Sequence, residues 1–392
     1  MSTRTVGIIG AGAAGTSAVK TLHTSEADVE IDLLARSGER PYNRTLVNKG
    51  VALGLLEPDQ AALSVTDTRT STDTVRSVNP QTREVHLASG KTRAYDALVI
   101  ATGSRPRTLD ETIIGRDQAV SAGQLTTLHS IADAVRVRNL LAGTHPTRVL
   151  ILGGGLVASE TASLLIEAGH DVALIARSLV PGATAIGEHV ARRLLDLSQP
   201  QHATYLGRQP RAIRTHADRI TIILDDGTHV EGDLAIVAHG TLAAAPAPWT
   251  GPEGIPVDGH LRALHAPRQR IYAAGGVAVH HYPGHSSYRI DHWEDSSAQG
   301  NHAARTLLHD LALADEPCRY LPASRFSARI HGHTFTGAGH PALGSTTRVV
   351  STDPLLIVHH LGDIPVALTG IDSTRLVQDW IPHLHQQAIL RY

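Results

Sequence analysis

Gly10-x-Gly12-x-x-Gly15 follows directly on the apolar run Val6 to Ile9 and opens an alanine-rich helical pattern from Ala13 to Leu22. Strand, tight turn and helix in that order make a cradle for a pyrophosphate. Gly10 lets the chain turn sharply, Gly12 lets the backbone approach the anion, Gly15 lets helix and strand pack closely, and the helix N-terminus faces the negative charge. The arrangement returns further on. Arg148 to Leu152 reads as a strand, Gly153-Gly154-Gly155-Leu-Val-Ala158 as the turn, Ser159 to Ala168 as the helix and Val172 to Ile175 as the next strand. A lone glycine fingerprint is weak, but a second with its own strand and helix is hard to obtain by chance. Two dinucleotide-binding halves are expected in one chain.

The ends of the second strands decide what each half accepts. A carboxylate there takes ribose hydroxyls, whereas an arginine beside a small residue suits a 2′-phosphate. The first half ends in Ala35-Arg36-Ser37 and the second in Ala176-Arg177-Ser178. Ala176 removes repulsion toward a phosphate and Arg177 supplies a bidentate partner, so the second half is expected to prefer NADPH to NADH.

Composition limits the alternatives. A chain of 392 residues exceeds one ordinary core, so two or three domains are expected. With 35 basic and 37 acidic side chains the formal charge is -2, which argues against an electrostatic nucleic-acid or membrane-surface binder. Cys318 is the only cysteine, which excludes a disulfide framework, a redox Cys-x-x-Cys pair and a cysteine-rich zinc site. The first strand begins by about Thr5, leaving no room for a signal peptide, and no apolar run approaches the roughly 20 residues of a membrane span. A reducing, cytoplasmic setting is expected. Histidines at 280, 281 and 285, or 331 and 333, invite a metal reading, but no carboxylate or cysteine completes a ligand set at matching spacing. No metal is expected.

Between and beyond the two halves, the periodicity suggests a loop from Arg40 entering a helix near Lys49, and short strands around the Asn79-Pro80 turn. A strand from Tyr95 to Ile100 runs into Ala101-Thr102-Gly103, and a helical pattern covers Ala122 to Leu141. Ile220 to Leu224 and Val230 to Val237 read as a hairpin and a strand reaching Gly240, and the proline-rich 243–248 as a boundary. Ile271 to Ala278 reads as a strand returning to the first half, 291–313 as a helix, and the chain from Pro317 as mainly short strands before a helix around Thr374 to His383.

In this order and spacing the motifs resemble the ferredoxin reductase branch of the FAD-dependent pyridine nucleotide oxidoreductases. Arg40-Pro-Tyr-Asn-Arg44 through Lys49 is similar to that branch's Pro-Tyr-x-Arg-Pro-Pro-Leu-Ser-Lys, Tyr95 to Gly103 to its Tyr-Asp-x-Leu-x-x-Ala-Thr-Gly, and Arg289-Ile-Asp-His-Trp293 with Gln299-Gly300 to its Arg-x-Glu-x-Trp and Gln-Gly. The resemblance implies an α/β fold with two Rossmann-like dinucleotide-binding domains and a C-terminal α+β domain. The FAD domain would comprise 1–112 and 242–316, the NAD(P) domain 113–241 and the interface domain 317–392. It implies an enzyme that moves hydride from NAD(P)H to FAD and electrons on to a small iron–sulfur or other acceptor protein, as a monomer or homodimer.

By the same resemblance FAD is held by Gly10, Gly12, Ala14, Gly15, Arg36, Arg44, Val75, Ala101, Thr102, Gly103, Gly275, Gly276 and Trp293. The nicotinamide dinucleotide is held by Gly153, Gly155, Ala158, Arg177 and Gly240. Lys49 lies near the flavin N5 and pairs with Glu160, where a cation answers the charge of a reduced flavin; the plainer alternative is a surface ion pair. Three positions depart from the family pattern: Arg36 and Gly276 stand where carboxylates are expected, and Phe326-Ser327-Ala328-Arg329 replaces an aromatic Trp-Ser pair. The loss at Gly276 is expected to leave a gap, so Gly276→Asp is expected to tighten FAD. Two further readings stay open: a degenerate nucleotide-binding sensor, and a first site rebuilt for another ligand.

Overall fold

The computed structural model describes residues 3–36, 40–65, 68–143, 145–266, 270–282 and 287–386. Ser37 and His285, both singled out in the sequence, lie outside the described residues. The chain falls into two compact units. The first comprises Met1–Arg44, Ala62–Arg105 and Thr241–Ser324, and the second Thr45–Ala61, Pro106–Gly240 and Arg325–Tyr392.

In the first unit five parallel strands lie in the order Ile271–Ala273, Ala97–Ile100, Arg4–Ile9, Val29–Leu34, Arg69–Ser71. Ile9 stands opposite Leu34 on one side and Ile100 on the other. Ala97–Ile100 is buried throughout, the continuous apolar run of a strand covered on both faces. Helices Ala13–Thr24 and Trp293–Asp310 belong to this unit, and they meet closely because residue 300 is glycine. A Cβ there would run into the backbone of Ala14.

The second unit repeats the plan, with parallel strands in the order Ala203–Leu206, Asp171–Ala176, Arg148–Leu152, Leu234–Val237, Leu125–Thr127. The last of these corrects the sequence reading, which ran a helix through 122–141. The helix is confined to Ile131–Leu141, because Ser130 and Asp133 form a reciprocal capping box that fixes its start. Leu125 and the β-branched Thr126 and Thr127 are thereby free to join the sheet edge.

The same unit holds a five-stranded antiparallel sheet in the order Arg325–Ile330, His333–Gly339, Ile364–Ile371, Leu355–Leu361, Thr346–Thr352. Ile330, Phe335, Ile357 and Ile371 of this sheet share a core with Val190, Ala191 and Leu194 of helix Glu188–Ser198. Among the described residues, no helix is long and apolar enough to cross a membrane.

His359 is buried in that sheet, with Nε2 2.7 Å from Thr369 Oγ1. Burial, reinforced by His360 and His189, pushes its pKa down to about 4, and burial with the neighbouring His331 does the same for His202. A folded pKa below the unfolded value means that the unfolded chain binds the extra proton first. The stabilisation is therefore complete above the usual histidine pKa and is lost as pH falls from about 6.5 toward 4, by ~1.4 kcal/mol per unit of pKa difference. Urea midpoints measured from pH 7 to 4.5 should fall with acid, and His359→Gln should flatten that slope. An unchanged slope would show that His359 does not carry it.

Candidate functional site

In the first unit the glycine turn is enforced by contacts that a side chain would destroy. Gly10 has φ +107°, and a Cβ on it would meet the Ala101 carbonyl; one on Gly15 would meet the carbonyl of Gly10. Gly12, the N-cap of helix Ala13–Thr24, faces open space, as does Gly103 at φ +68°. The turn sits between strands Arg4–Ile9 and Ala97–Ile100, where strand order reverses, and this is where open α/β sheets bind ligands. The Thr102 hydroxyl is buried there without a hydrogen-bond partner. An open cradle of backbone N–H groups beside an orphaned hydroxyl fits a dinucleotide. Arg36 is exposed just past strand Val29–Leu34, Arg44 lies over the Tyr42 ring at 5.5 Å, and Val75 begins an antiparallel strand.

Gly275-Gly276 follows strand Ile271–Ala273 at the same carboxyl edge of the sheet. Gly275 has φ +78°, and a Cβ there would lie 3.1 Å from the Cβ of Ala14. Its N–H donates to Gln299 Oε1 (2.7 Å), while Gln299 Nε2 donates to the buried Asp295 (2.6 Å). The Gly276 carbonyl accepts from Arg289 (2.7 Å), which also donates to the Thr241 carbonyl (2.8 Å). Trp293 begins the helix that carries Gln299.

The expected gap at Gly276 is absent. Asp291 Oδ1 stands where a Cβ on residue 276 would go, with Asp291 Cγ 2.9 Å from that point. Asp291 Oδ2 accepts from Ser104 Oγ (2.6 Å) and Thr241 Oγ1 (2.5 Å). A new aspartate at 276 would have to displace the Asp291 carboxylate, so the expectation that glycine leaves a gap there is corrected.

The second unit builds its own cradle by the same device. Gly153 has φ +150° and its Cβ would meet the Ala238 carbonyl, while Gly155 caps helix Leu156–Glu167 and faces open space. Ala158 is fully buried in that helix and Gly240 has φ +80° beside open space. Ala176 ends its strand buried, and Arg177 beyond it is exposed.

Three positions of the second unit meet at the carboxylate of Glu160. Glu160, on helix Leu156–Glu167, is 7% exposed in its side chain, and Lys49 Nζ lies 3.0 Å from its Oε1. Arg329 N–H donates to Oε1 (3.2 Å) and Asn48 Nδ2 to Oε2 (3.2 Å). One helical turn on, Ser163 Oγ accepts from the N–H of His331 (2.7 Å). Positions 160 and 163 share a helix face, and together they cover the edge of strand Arg325–Ile330, which otherwise presents unpaired donors. Lys49 is 37% exposed, so its ammonium is anchored on one side and accessible on the other. Phe326 packs on Phe335 at 5.7 Å.

Sequence reasoning placed Arg289 and Asp291 in the Arg-x-Glu-x-Trp pattern without giving either a role, and it did not single out Asn48. For the first two the pattern named the positions but not their partners, Gly276, Ser104 and Thr241. For Asn48 there was no signal, since its partner lies 112 residues away. Among the described residues no group of three histidine, cysteine, aspartate or glutamate side chains is placed to hold a metal; His333 Nδ1 lies 2.7 Å from Asp372.

Residues 4–300 match the pyridine nucleotide-disulphide oxidoreductase family. The ferredoxin–NAD(+) reductase component of the anthranilate 1,2-dioxygenase system of Burkholderia cepacia is 30% identical over 366 residues, 88% of this chain and 84% of that protein. Putidaredoxin reductase in its covalent complex with putidaredoxin has the same fold, with TM-score 0.84 and 21% identity over 99% of this chain and 93% of that one. An engineered water-forming NADPH oxidase bound to NADPH superposes with TM-score 0.76 and 19% identity, covering 96% of this chain and 88% of that one. Its engineering changed a consecutive Asp-Ala-Met to Ala-Arg-Ser.

The ion pair at Glu160 has a stability consequence. Lys49→Met keeps the apolar stem but leaves a buried carboxylate without its counter-charge, and should lower the unfolding free energy by about 1–3 kcal/mol, less than a fully buried pair because Lys49 reaches solvent. Combining it with Glu160→Gln should recover most of that loss, since an amide needs no cation. Equal urea stability of Lys49→Met and the parent would reduce the pair to a surface contact.

Proposed function

The chain belongs to the pyridine nucleotide-disulphide oxidoreductase family, and from that premise we propose an FAD-dependent reductase that takes hydride from NADPH and passes electrons to a small iron–sulfur protein. The carrying observation is the doubled cradle: two parallel sheets in one chain, each with a glycine turn opening onto free space at its strand-order reversal. One chain thus has a place for each of two dinucleotides. With a single cysteine, Cys318, the chain has no internal thiol pair, so electrons leave by a route other than disulfide exchange. Bound FAD supplies a two-electron acceptor that can release electrons singly.

The residues divide the work. Gly10, Gly12 and Gly15 with Ala14, Ala101, Thr102 and Gly103 hold the flavin dinucleotide in the first unit, in a domain of residues 1–112 and 242–316. Gly153, Gly155, Ala158, Arg177 and Gly240 hold the nicotinamide dinucleotide in a domain of residues 113–241. Residues 317–392 form the interface domain. Lys49, fixed by Glu160, is the cation that answers negative charge on the reduced cofactor. The name of the Burkholderia cepacia relative supports an acceptor of the ferredoxin kind.

That name specifies NAD(+), so the choice of NADPH rests on local chemistry. Ala176 lacks the carboxylate that would repel a 2′-phosphate, and exposed Arg177 can take it bidentately. The oxidase re-engineered to Ala-Arg-Ser and solved with NADPH supports the same assignment for Ala176-Arg177-Ser178. The reading in which the first site is rebuilt for another ligand rests on Arg36, and it requires that FAD not bind.

Two measurements test the proposal. The purified protein should take up FAD in equilibrium dialysis at micromolar concentration, and NADPH should reduce it faster than NADH in stopped flow. Ala176→Glu with Arg177→Ala should reverse that preference, each charged contact being worth about 1.5–3 kcal/mol or roughly 10- to 100-fold. No FAD uptake would defeat the enzyme reading; equal rates with both nucleotides would defeat the NADPH assignment alone.

A further inference from the structure

Glu160 presents two oxygens where little water reaches them, its side chain being 7% exposed. Three donors divide them. Lys49 Nζ at 3.0 Å and the N–H of Arg329 at 3.2 Å share Oε1, while Asn48 Nδ2 at 3.2 Å takes Oε2. An ionised carboxylate only accepts, so the Asn48 amide must turn its nitrogen toward Glu160. Two of the three donors come from consecutive residues. On an α-helix, neighbours in sequence do not face a common partner, but Val47–Val51 forms a π-turn in which the Ala52 N–H donates to the Val47 carbonyl at 3.0 Å. The wider turn lets side chains 48 and 49 converge on one carboxylate. Such turns are rare and recur at functional sites, and here the buried Val47 and Val51 fix it in place.

We propose that Asn48 is a positioning residue: by filling Oε2 of Glu160 it holds the Lys49 ammonium on Oε1, so that the remaining N–H bonds of Lys49 stay available to the reduced cofactor. The distribution of acceptors carries the argument. Two oxygens offer about four acceptor positions, and Oε1 already takes two donors, so a bare Oε2 is what would draw the cation away. An ammonium on a flexible four-carbon stem, with no amide and little water to occupy Oε2, swings between the two oxygens and is neutralised more fully by them. Asn48 stands where the family pattern Leu-Ser-Lys has serine, and its amide donor reaches one bond further from the backbone than a hydroxyl does.

The inference deepens the reading of Lys49 as the cation that answers charge on the reduced cofactor, and it rests on that reading. A double-variant comparison in the FAD-loaded, full-length protein tests it. Stopped flow gives the limiting rate of flavin reduction and the affinity for NADPH, and a redox titration gives the flavin midpoint potential.

Asn48→Leu, of similar volume but without the donor, should slow the limiting rate about three- to tenfold with NADPH affinity within about twofold of the parent, and should move the midpoint potential to more negative values. Asn48→Ala should do the same. Asn48→Gln keeps the amide on a longer arm and should stay within about threefold of the parent rate. Lys49→Met should shift rate and potential in the same direction and further. With no ammonium left to position, Asn48→Leu combined with Lys49→Met should match Lys49→Met alone within about 1.5-fold.

Parent-like rates and potentials in both Asn48→Leu and Asn48→Ala would overturn the assignment, as would a loss from Asn48→Leu that persists undiminished beside Lys49→Met. Asn48→Gln as slow as Asn48→Leu would make volume, not the donor, the requirement and overturn it too. An unchanged rate and potential in Lys49→Met would overturn the role of Lys49 itself. A parent that takes up no FAD would overturn the flavoprotein reading, and either result takes this inference with it.

Discussion

A carboxylate buried in a helix cannot be left alone, and Glu160 organises the second unit around that requirement. Removing an ion from water costs several kcal/mol unless charge and hydrogen bonds replace the lost solvation. Replacement comes from Lys49 and Asn48, on a segment that leaves the first unit after Arg44 and returns at Ala62, and from the N–H of Arg329 on the last sheet. Two stretches remote in sequence are thereby tied to one carboxylate. Because Glu160 sits within two turns of the glycine cap at Gly155, the same helix that presents a cradle for a dinucleotide also fixes a cation. Binding geometry and charge placement share one rigid element, which is how a site gains precision without many residues.

The glycine turns express a second constraint, steric instead of electrostatic. In each unit the first glycine of the fingerprint abuts the carbonyl that follows a neighbouring parallel strand, Ala101 in one and Ala238 in the other. No Cβ fits between a strand's end and its neighbour's carbonyl, so the chain must use glycine to turn into the helix at the strand-order reversal. The third position differs between the units. Gly15 lies against the Gly10 carbonyl, whereas Ala158 is accommodated and fully buried, so the second helix leaves its sheet with room for one methyl.

These constraints explain what was legible. Continuous apolar runs and glycine spacing are local, and they marked both sheets and both cradles. The helix assigned through 122–130 failed because a local cap, Ser130 with Asp133, outweighed an apparent apolar period. The partnership of Lys49 with Glu160 was readable only through resemblance to a family. Asn48 carried no signal, because one amide in a loop says nothing about a carboxylate over a hundred residues on.

Gly276 shows the deeper limit of reading motifs position by position. A motif names the residue that usually fills a volume, but the physical requirement is on the volume and its charge, not on the chain position that supplies them. At Gly276 the usual side chain is missing while a carboxylate is present, carried by Asp291 from 15 residues further along and steadied by Ser104, Thr241 and Arg289. The volume beside Gly276 is filled by the acid that the Arg-x-Glu-x-Trp pattern already carries at 291, turned toward the glycine. Arg36 is a different kind of departure: it stands exposed beyond its strand, where a change of side chain alters what is offered to a ligand without disturbing a packed neighbour. A departure at a crowded position is answered by the neighbour that fills the space, here Asp291 beside Gly276; the consequence of a departure at an open position falls on the ligand alone.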